Sequence, residues 1–266
     1  MPAFYTHYTI AKETLRRLPN TIYTEIRPHL SLYFFGAQGA DFCFFYPFFS
    51  KKIGNFGSYL HRHGGYPTLR VMQEFSTHSA PLFSYALGYI THYAADSTFH
   101  PFIYALAGQS HLLHSRLENT LDIYLKHRTS SSDPYVHYLK QSLVKKELED
   151  LFILYAAIAA KHHFPPLTKK AFSRAIFLFN AYMPISSNLF YQSKHTLSLL
   201  FNTEKKPWRF PDAPHVISTD GCQELLDKSI TLAVSLGNTF AQCVQQKTPL
   251  PAPLFHKSFL TGLPLP

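Results

Sequence analysis

Residues 92–100 read HYAADSTFH and place histidines at both ends, with an aspartate midway between them. His92 and Asp96 are four residues apart, and His100 follows four residues later, just before Pro101. Side chains at i and i+4 lie on the same face of an α-helix. A helix here therefore brings an imidazole and a carboxylate to one point, and Pro101 predicts a bend after His100.

The same spacing recurs at residues 114–118, which read HSRLE and place His114 four residues before Glu118. Imidazole nitrogens and carboxylate oxygens, with one position left for water, are typical ligands of catalytic zinc. A chain with 16 histidines and 16 acidic residues contains such pairs by chance. Neither pair by itself establishes a metal site.

Helical periodicity dominates the rest of the chain. Apolar residues recur at helical spacing over residues 147–162, 169–200 and 221–245, and the N-terminal 20 residues resemble an amphipathic helix. Pro184 is expected to kink or divide the run from 169 to 200. Breaks are predicted at 129–134, 164–166 and 205–214, and no alternating strand pattern is evident. The sequence predicts an all-α fold.

Composition excludes several classes of protein. An apolar content of 46 % over 266 residues is too high for a disordered chain. The cysteines Cys43, Cys222 and Cys243 form no CxxC pair, so neither a disulfide framework nor a zinc finger is predicted. Dinucleotide-binding, P-loop and serine-hydrolase motifs are absent from the sequence.

The formal net charge of +9 suits an anionic partner, such as a phosphate ester, a lipid surface or nucleic acid. A basic surface that only aids solubility is the preferred explanation of this charge. The sequence contains no recognisable signal peptide and no apolar stretch of about 20 residues that could span a membrane. A cytoplasmic location is predicted.

The order of histidines and carboxylates resembles the zinc-dependent phospholipase C family, whose fold is shared with the single-strand-specific zinc nucleases. The resemblance covers about the first 125 residues and includes the motifs FFGAQGADFCFFYP (34–47), GSYLHR (57–62) and the two helical pairs. The residues that carry it are His7, Asp41, His61, His92, Asp96, His100, His114 and Glu118.

This resemblance implies a compact multi-helix domain with up to three zinc ions in a cleft. One zinc would be held by Asp41, His61, His92 and Asp96. A second would be held by His100, His114 and Glu118. The third would be bridged by Asp96 and completed by His7 and the N-terminal residue, which is Pro2 if Met1 is removed.

The activity implied is that of a metal-dependent phosphodiesterase of the phospholipase C type, in which zinc-bound hydroxide attacks a phosphate ester. Asp41 is the candidate catalytic residue, because it could also orient the attacking water. The substrate would be a phospholipid or another phosphodiester, with contact to a membrane surface. A zinc nuclease and a non-catalytic lipid-binding module stay open as alternatives, and nitrogen and oxygen ligands also admit iron or manganese.

Several positions allow two interpretations. His63 competes with His61, which is preferred because it fits the family pattern. Asp122 either orients a ligand or is a charge on the helix surface, the latter being preferred. Cys43 is interpreted as a buried thiol rather than a zinc ligand. The aromatic residues that flank the proposed ligands either line the cleft or belong to the core, and they are Phe4, Tyr5, Phe44, Phe45, Tyr46 and Phe48.

A domain boundary is predicted near residue 248. Residues 1–248 would form the helical domain. Residues 249–266 contain five prolines and would form an extended C-terminal tail.

Overall fold

The computed structural model describes residues 4–45, 51–63, 65–139, 143–186 and 194–265, without the side chains of 182–186 and 194. The longer helices are α1 (Phe4–Arg17), α4 (Lys51–His63), α5 (Gly65–Ser76), α6 (Ala80–Ala107), α7 (His111–Arg128), α8 (Lys145–Lys161), α9 (Lys169–Ser186) and α11 (Cys222–Gln246). The shorter ones are α2 (Asn20–Ile26), α3 (Leu30–Gly36), α10 (Lys194–Phe201) and α12 (Ala252–Phe255). Three 3₁₀ helices span Arg27–His29, Asp41–Phe45 and Val136–Leu139.

The predicted all-α class is confirmed, and the predicted helical runs correspond to α1, α8, α9 and α11. The run from 169 to 200 forms two helices, and α9 continues through Pro184 to residue 186. Residues 187–193, between α9 and α10, lie outside the described part. No helix among the described residues combines the length and the apolar composition that a membrane span requires.

Helix α6 is the centre of the fold, with α1, α3, α5, α7 and α11 packed around it. It is 28 residues long and apolar around most of its circumference, as expected for a helix enclosed by others. The Ser79 side chain caps its first turn by accepting a hydrogen bond from the backbone N–H of Leu82. This enclosed position makes α6 a rigid support for polar side chains that point into the interior.

The segment predicted as a break at 205–214 contains part of a small antiparallel ribbon. Strands β1 (Trp208–Phe210) and β2 (Ala213–Ser218) pair with Trp208 opposite Ser218. The Trp208 ring packs against Phe102 of α6, with 5.2 Å between ring centroids. Strand β1 has only three residues, and the residues of β2, APHVIS, do not alternate between apolar and polar, so the sequence shows no strand pattern here.

The proline-rich C-terminal segment differs from the extended tail that the sequence predicts. Phe255 and Phe259 are buried, and the backbone N–H of Lys257 donates to the Tyr93 hydroxyl of α6 at 2.9 Å. Aromatic side chains spaced between the prolines give this segment an apolar surface to bury. The boundary at residue 248 stays a prediction.

Candidate metal centre

One face of α6 carries three of the predicted donors in consecutive turns. His92, Asp96 and His100 share this face, as the i, i+4 spacing predicts. The helix does not end at Pro101 but continues to Ala107. His92 is completely buried and Asp96 is 6 % exposed, so both side chains point into the protein rather than to solvent.

The remaining donors come from four other elements. His7 lies on α1, Asp41 begins a 3₁₀ helix, and His61 lies in the last turn of α4. His114 and Glu118 face inward from α7. All eight predicted residues lie together, and seven of them line one cavity of about 270 Å³ while His92 lies behind it.

The first predicted zinc site consists of Asp41, His61, His92 and Asp96, and ligand atoms of the last three lie within 4.8 Å of one another. The Nε2 atom of His61 lies 3.0 Å from Asp41 Oδ1 and 3.5 Å from Asp96 Oδ2. His92 Nε2 lies 3.4 Å from Asp96 Oδ2 and 4.0 Å from Asp41 Oδ1. Each of the two carboxylates therefore has one oxygen within 4.0 Å of both Nε2 atoms.

Asp96 connects this group to His7. Its Oδ1 atom lies 3.4 Å from His7 Nε2, whereas Oδ2 faces His61 and His92. A carboxylate whose two oxygens face different imidazoles is suited to bridging two cations. His7 could also share an ion with Asp41 and His92, because ligand atoms of these three residues lie within 4.8 Å of one another.

The second group contains His100, His114 and Glu118. Glu118 Oε1 lies 3.0 Å from His114 Nε2 and 3.5 Å from His100 Nε2. Ligand atoms of the three residues lie within 4.8 Å of one another, as a shared metal ion requires. The grouping is the one that the family resemblance implies for the second zinc.

Two of the imidazoles are held by their other ring nitrogen. His61 Nδ1–H donates to the Gly57 carbonyl at 2.8 Å, and His100 Nδ1–H donates to the Phe259 carbonyl at 2.9 Å. A carbonyl can only accept, so each neutral ring keeps its lone pair on Nε2. Hydrogen bonds of this kind orient the histidine ligands of metals.

The electrostatics of the pocket also favour a cation. Burial opposes ionisation of Asp41, but the imidazoles of His92 and His61 outweigh it and hold the pKa of this carboxyl well below its usual range. Burial lowers the pKa of His92 to about 4. At His100 burial acts in the same direction, but the charges of Asp96 and Glu118 raise the pKa to about 9.

A metal therefore fits this donor set. Neutral imidazoles and ionised carboxylates that face one another expose lone pairs to lone pairs, which is stable only when protons or cations lie between them. The buried Nδ1 atoms of His7, His92 and His114 have no hydrogen-bond partner among the described residues, so no contact there fixes the tautomer of these three rings. Metal binding displaces the protons that otherwise take this place.

Geometry favours His61 over His63 as the ligand, in agreement with the preference drawn from the sequence. His61 is 6 % exposed and faces Asp41, whereas His63 is exposed at the end of α4. Cys43 is a buried free thiol, and no cysteine joins the metal-binding groups among the described residues. Burial raises the pKa of the Cys43 thiol.

Among the aromatic residues that flank the ligands, Phe44 lines the cavity and Phe4 belongs to the core. Tyr5 and Phe45 pack against the core while partly buried. Tyr46 and Phe48 lie outside the described residues. The other residues of the wall are Ser58, Arg62, Tyr104 and Leu260, which sequence reasoning did not single out, and His111, which it interpreted as a surface or ligand-supporting residue.

Asp122 is not the surface charge that the sequence favours. It is buried, and its carboxylate accepts 2.9 Å hydrogen bonds from the backbone N–H groups of Tyr5 and Thr6 and from the Thr6 hydroxyl. These donors belong to the first turn of α1, whose N–H groups have no partner within the helix. Asp122 therefore fixes the start of the helix that carries His7.

Asp122→Asn is expected to destabilise the protein by about 1–3 kcal/mol, because the amide has one acceptor oxygen in place of two and leaves a buried donor unpaired. Urea unfolding of the metal-free protein measures this free energy. Asp227→Asn, the same change at an exposed position of α11, should stay within about 0.5 kcal/mol of the parent. Equal stabilities of the two variants would contradict this role.

Comparison with known proteins agrees with this geometry. The family model described as zinc dependent phospholipase C matches residues 6–164, which include all eight donor residues. Neither the curated proteins nor the solved structures contain a significant match. The match covers more than half of the chain and the whole donor set, so the protein belongs to the zinc-dependent phospholipase C family.

Proposed function

We propose that this protein is a metal-dependent phosphodiesterase of the phospholipase C type. The observation that carries the proposal is that four histidines and three carboxylates line one cavity, with His92 behind it and 3.4 Å from Asp96. A purely structural ion would be enclosed by its ligands, whereas hydrolysis needs a cavity that admits a substrate.

The residues would hold up to three zinc ions in the arrangement that the family resemblance implies. Asp41, His61, His92 and Asp96 would hold one ion, and His100, His114 and Glu118 a second. Asp96 would bridge to a third ion at His7. Bound zinc lowers the pKa of its water toward about 7 and neutralises charge on a phosphoryl group.

Asp41 is the proposed catalytic residue. Its lowered pKa keeps the carboxylate ionised, so that it can accept a hydrogen bond from a water molecule in the cavity. Its Oδ1 atom faces His61 Nε2 at 3.0 Å, which limits its freedom to rotate. The carboxylate would orient the attacking water toward the phosphate while it also contributes to metal binding.

A phospholipid is the proposed substrate, and contact with a membrane surface goes with it. Phe44 and Leu260 supply apolar surface to the wall of the cavity, next to the metal-binding side chains. Such a wall suits a glycerol backbone and the first part of an acyl chain. A cytoplasmic location stays a prediction.

The charges around the cavity favour a head group with an additional anionic group. The carboxylates that line the cavity are Asp41, Asp96 and Glu118, and all three belong to the donor set. Residues outside the described ranges include no aspartate or glutamate, so they cannot supply a further side-chain carboxylate to the cavity. Arg62 also lines the cavity, and it takes part in none of the ion pairs found among the described residues.

Arg62→Gln is expected to raise KM for dioctanoyl phosphatidylserine about tenfold, because a charge-assisted hydrogen bond to the carboxylate is lost. The KM for dioctanoyl phosphatidylcholine should hardly change. Arg116→Gln, an exposed position on α7 outside the cavity wall, is the matched control. Equal loss on both lipids, or a parent enzyme that prefers choline, would contradict this specificity.

The activity itself is tested with three substrates: a choline phospholipid, single-stranded DNA and bis(p-nitrophenyl) phosphate. Each is assayed with and without a chelator, and zinc is measured by mass spectrometry on protein with a verified N-terminus. The proposal expects hydrolysis of phospholipid that the chelator abolishes. Hydrolysis of DNA alone would indicate a nuclease, and lipid binding without hydrolysis a non-catalytic module.

A further inference from the structure

The C-terminal segment, residues 250–265, packs against the metal centre although it lies outside the matched range 6–164. The ring of Phe259 has its centroid 5.5 Å from that of His61, 5.8 Å from that of His92 and 4.9 Å from that of Tyr93. Leu260, the next residue, lines the cavity. The segment thus contributes both apolar packing behind the ligands and a part of the cavity wall.

The segment also makes a direct polar contact with a proposed ligand. The Phe259 carbonyl accepts the hydrogen bond from His100 Nδ1–H at 2.9 Å. The opposite nitrogen of the same ring, Nε2, faces Glu118 Oε1 at 3.5 Å. The carbonyl is the nearer of two acceptors at Nδ1, the other being Asp96 Oδ2 at 3.8 Å, and it orients the ring so that Nε2 faces the second metal-binding group.

A compact turn holds this carbonyl in place. Leu263 O accepts from the N–H of Ser258 at 2.9 Å, and His256 O accepts from the N–H of Leu265 at 2.8 Å. Gly262 lies at the tip of the turn with φ +65°, and a Cβ atom there would be 2.4 Å from the Ser97 carbonyl of α6. Only glycine allows the turn to lie this close to the helix that carries the donors.

We propose that the C-terminal segment is a functional part of the metal centre, in which Phe259 acts as a positioning residue for His100. The proposal rests on the proposed metal-dependent function. Partners that orient a ligand histidine typically contribute about 10–100-fold to metal affinity. Displacing the turn should therefore weaken the ion held by His100, His114 and Glu118 and leave the group around His92 occupied.

Gly262→Ala tests this, with Gly108→Ala as the matched control. Both glycines have positive φ, +65° and +56°, so alanine is strained at both positions. A Cβ atom at Gly108 meets nothing within 4 Å, whereas at Gly262 it meets the Ser97 carbonyl. Only Gly262→Ala should displace the segment.

Two measurements are made on the full chain. Zinc titration followed by mass spectrometry is expected to show one ion binding about 10–100-fold more weakly in Gly262→Ala and all ions binding unchanged in Gly108→Ala. Nitrogen-15 NMR of the imidazoles, assigned with His100→Gln, should show a hydrogen-bonded Nδ1 proton of His100 in the parent and the control. This proton should lose its protection in Gly262→Ala.

Parental zinc affinity and an unchanged Nδ1 proton in folded Gly262→Ala would overturn the proposal. If Gly262→Ala does not fold, Tyr93→Phe is used instead, because it removes only the hydroxyl that accepts from the Lys257 N–H. The same two measurements then decide whether the segment positions His100. Should the parent bind no zinc, the proposed function fails. The NMR signal then still decides whether the segment positions His100.

Discussion

Replacing Asp96 with asparagine is expected to remove most of the bound zinc and to lower phosphodiesterase kcat/KM by about 10³-fold or more. The carboxylate has one oxygen 3.4 Å from His7 Nε2 and the other within 3.5 Å of His61 and His92. An amide keeps the shape but loses the charge and one of the two acceptor oxygens. Losing several kcal/mol of charge stabilisation corresponds to a rate loss of this size.

The experiment combines zinc analysis by mass spectrometry with hydrolysis of bis(p-nitrophenyl) phosphate. Asp227→Asn on the exposed face of α11 removes the same charge far from the donor set along the chain and should change neither quantity. Unfolding curves of both variants without metal show whether Asp96→Asn still folds, so that loss of a metal ligand is distinguished from loss of the fold. Full zinc occupancy with parental turnover in Asp96→Asn would reject the assignment of Asp96 as a shared ligand.

Replacing Gly39 with alanine is expected to destabilise the protein by about 3 kcal/mol or more and to abolish zinc binding at the His92 group. Gly39 has φ +57°, and a Cβ atom there would lie 2.0 Å from His92 Cδ2 and 2.3 Å from His92 Nε2. The Tyr85 and Tyr155 hydroxyls lie 3.4 and 3.3 Å from the Gly39 carbonyl and 2.6 Å from each other, so one donates to the carbonyl and the other to its neighbour, and the pair holds the turn against this ring. The variant must therefore displace either His92 or the turn that leads to Asp41.

Gly54→Ala on α4 is the control for this change. A Cβ atom at Gly54 would be 3.9 Å from the Cys43 carbonyl, which is an ordinary contact. Alanine in a helix interior is more favourable than glycine by about 1 kcal/mol, so the control should gain stability where Gly39→Ala loses it. Urea unfolding with and without zinc measures both effects, and equal behaviour of the two variants would contradict the close approach of Gly39 to His92.

Local spacing explains why the donors on helices could be predicted. His92, Asp96 and His100 share a face because the α-helix repeats every 3.6 residues, and His114 and Glu118 follow the same rule. His7, Asp41 and His61 required the family resemblance, since nothing local connects them with the others. The tertiary structure brings all eight side chains together.

Contacts between distant parts of the chain could not be predicted in this way. Gly39 meets His92, Asp122 meets the first turn of α1, and the Phe259 carbonyl meets His100. Each contact depends on how elements pack, and a glycine, an aspartate or a backbone carbonyl looks ordinary in its local sequence. For the same reason the proline content of residues 249–266 suggested an extended tail, although its phenylalanines are buried in the core.

The sequence by itself determined the helical class, the two histidine–carboxylate pairs and the chemistry of the donors, because these depend on residue type and on short-range periodicity. Only the tertiary structure decided which imidazole nitrogen faces the cavity, which histidine of α4 points inward and which segments support the ligands. Those features depend on packing between elements far apart in the chain. Burial and long-range hydrogen bonds select one orientation of each ring among those that the local sequence allows.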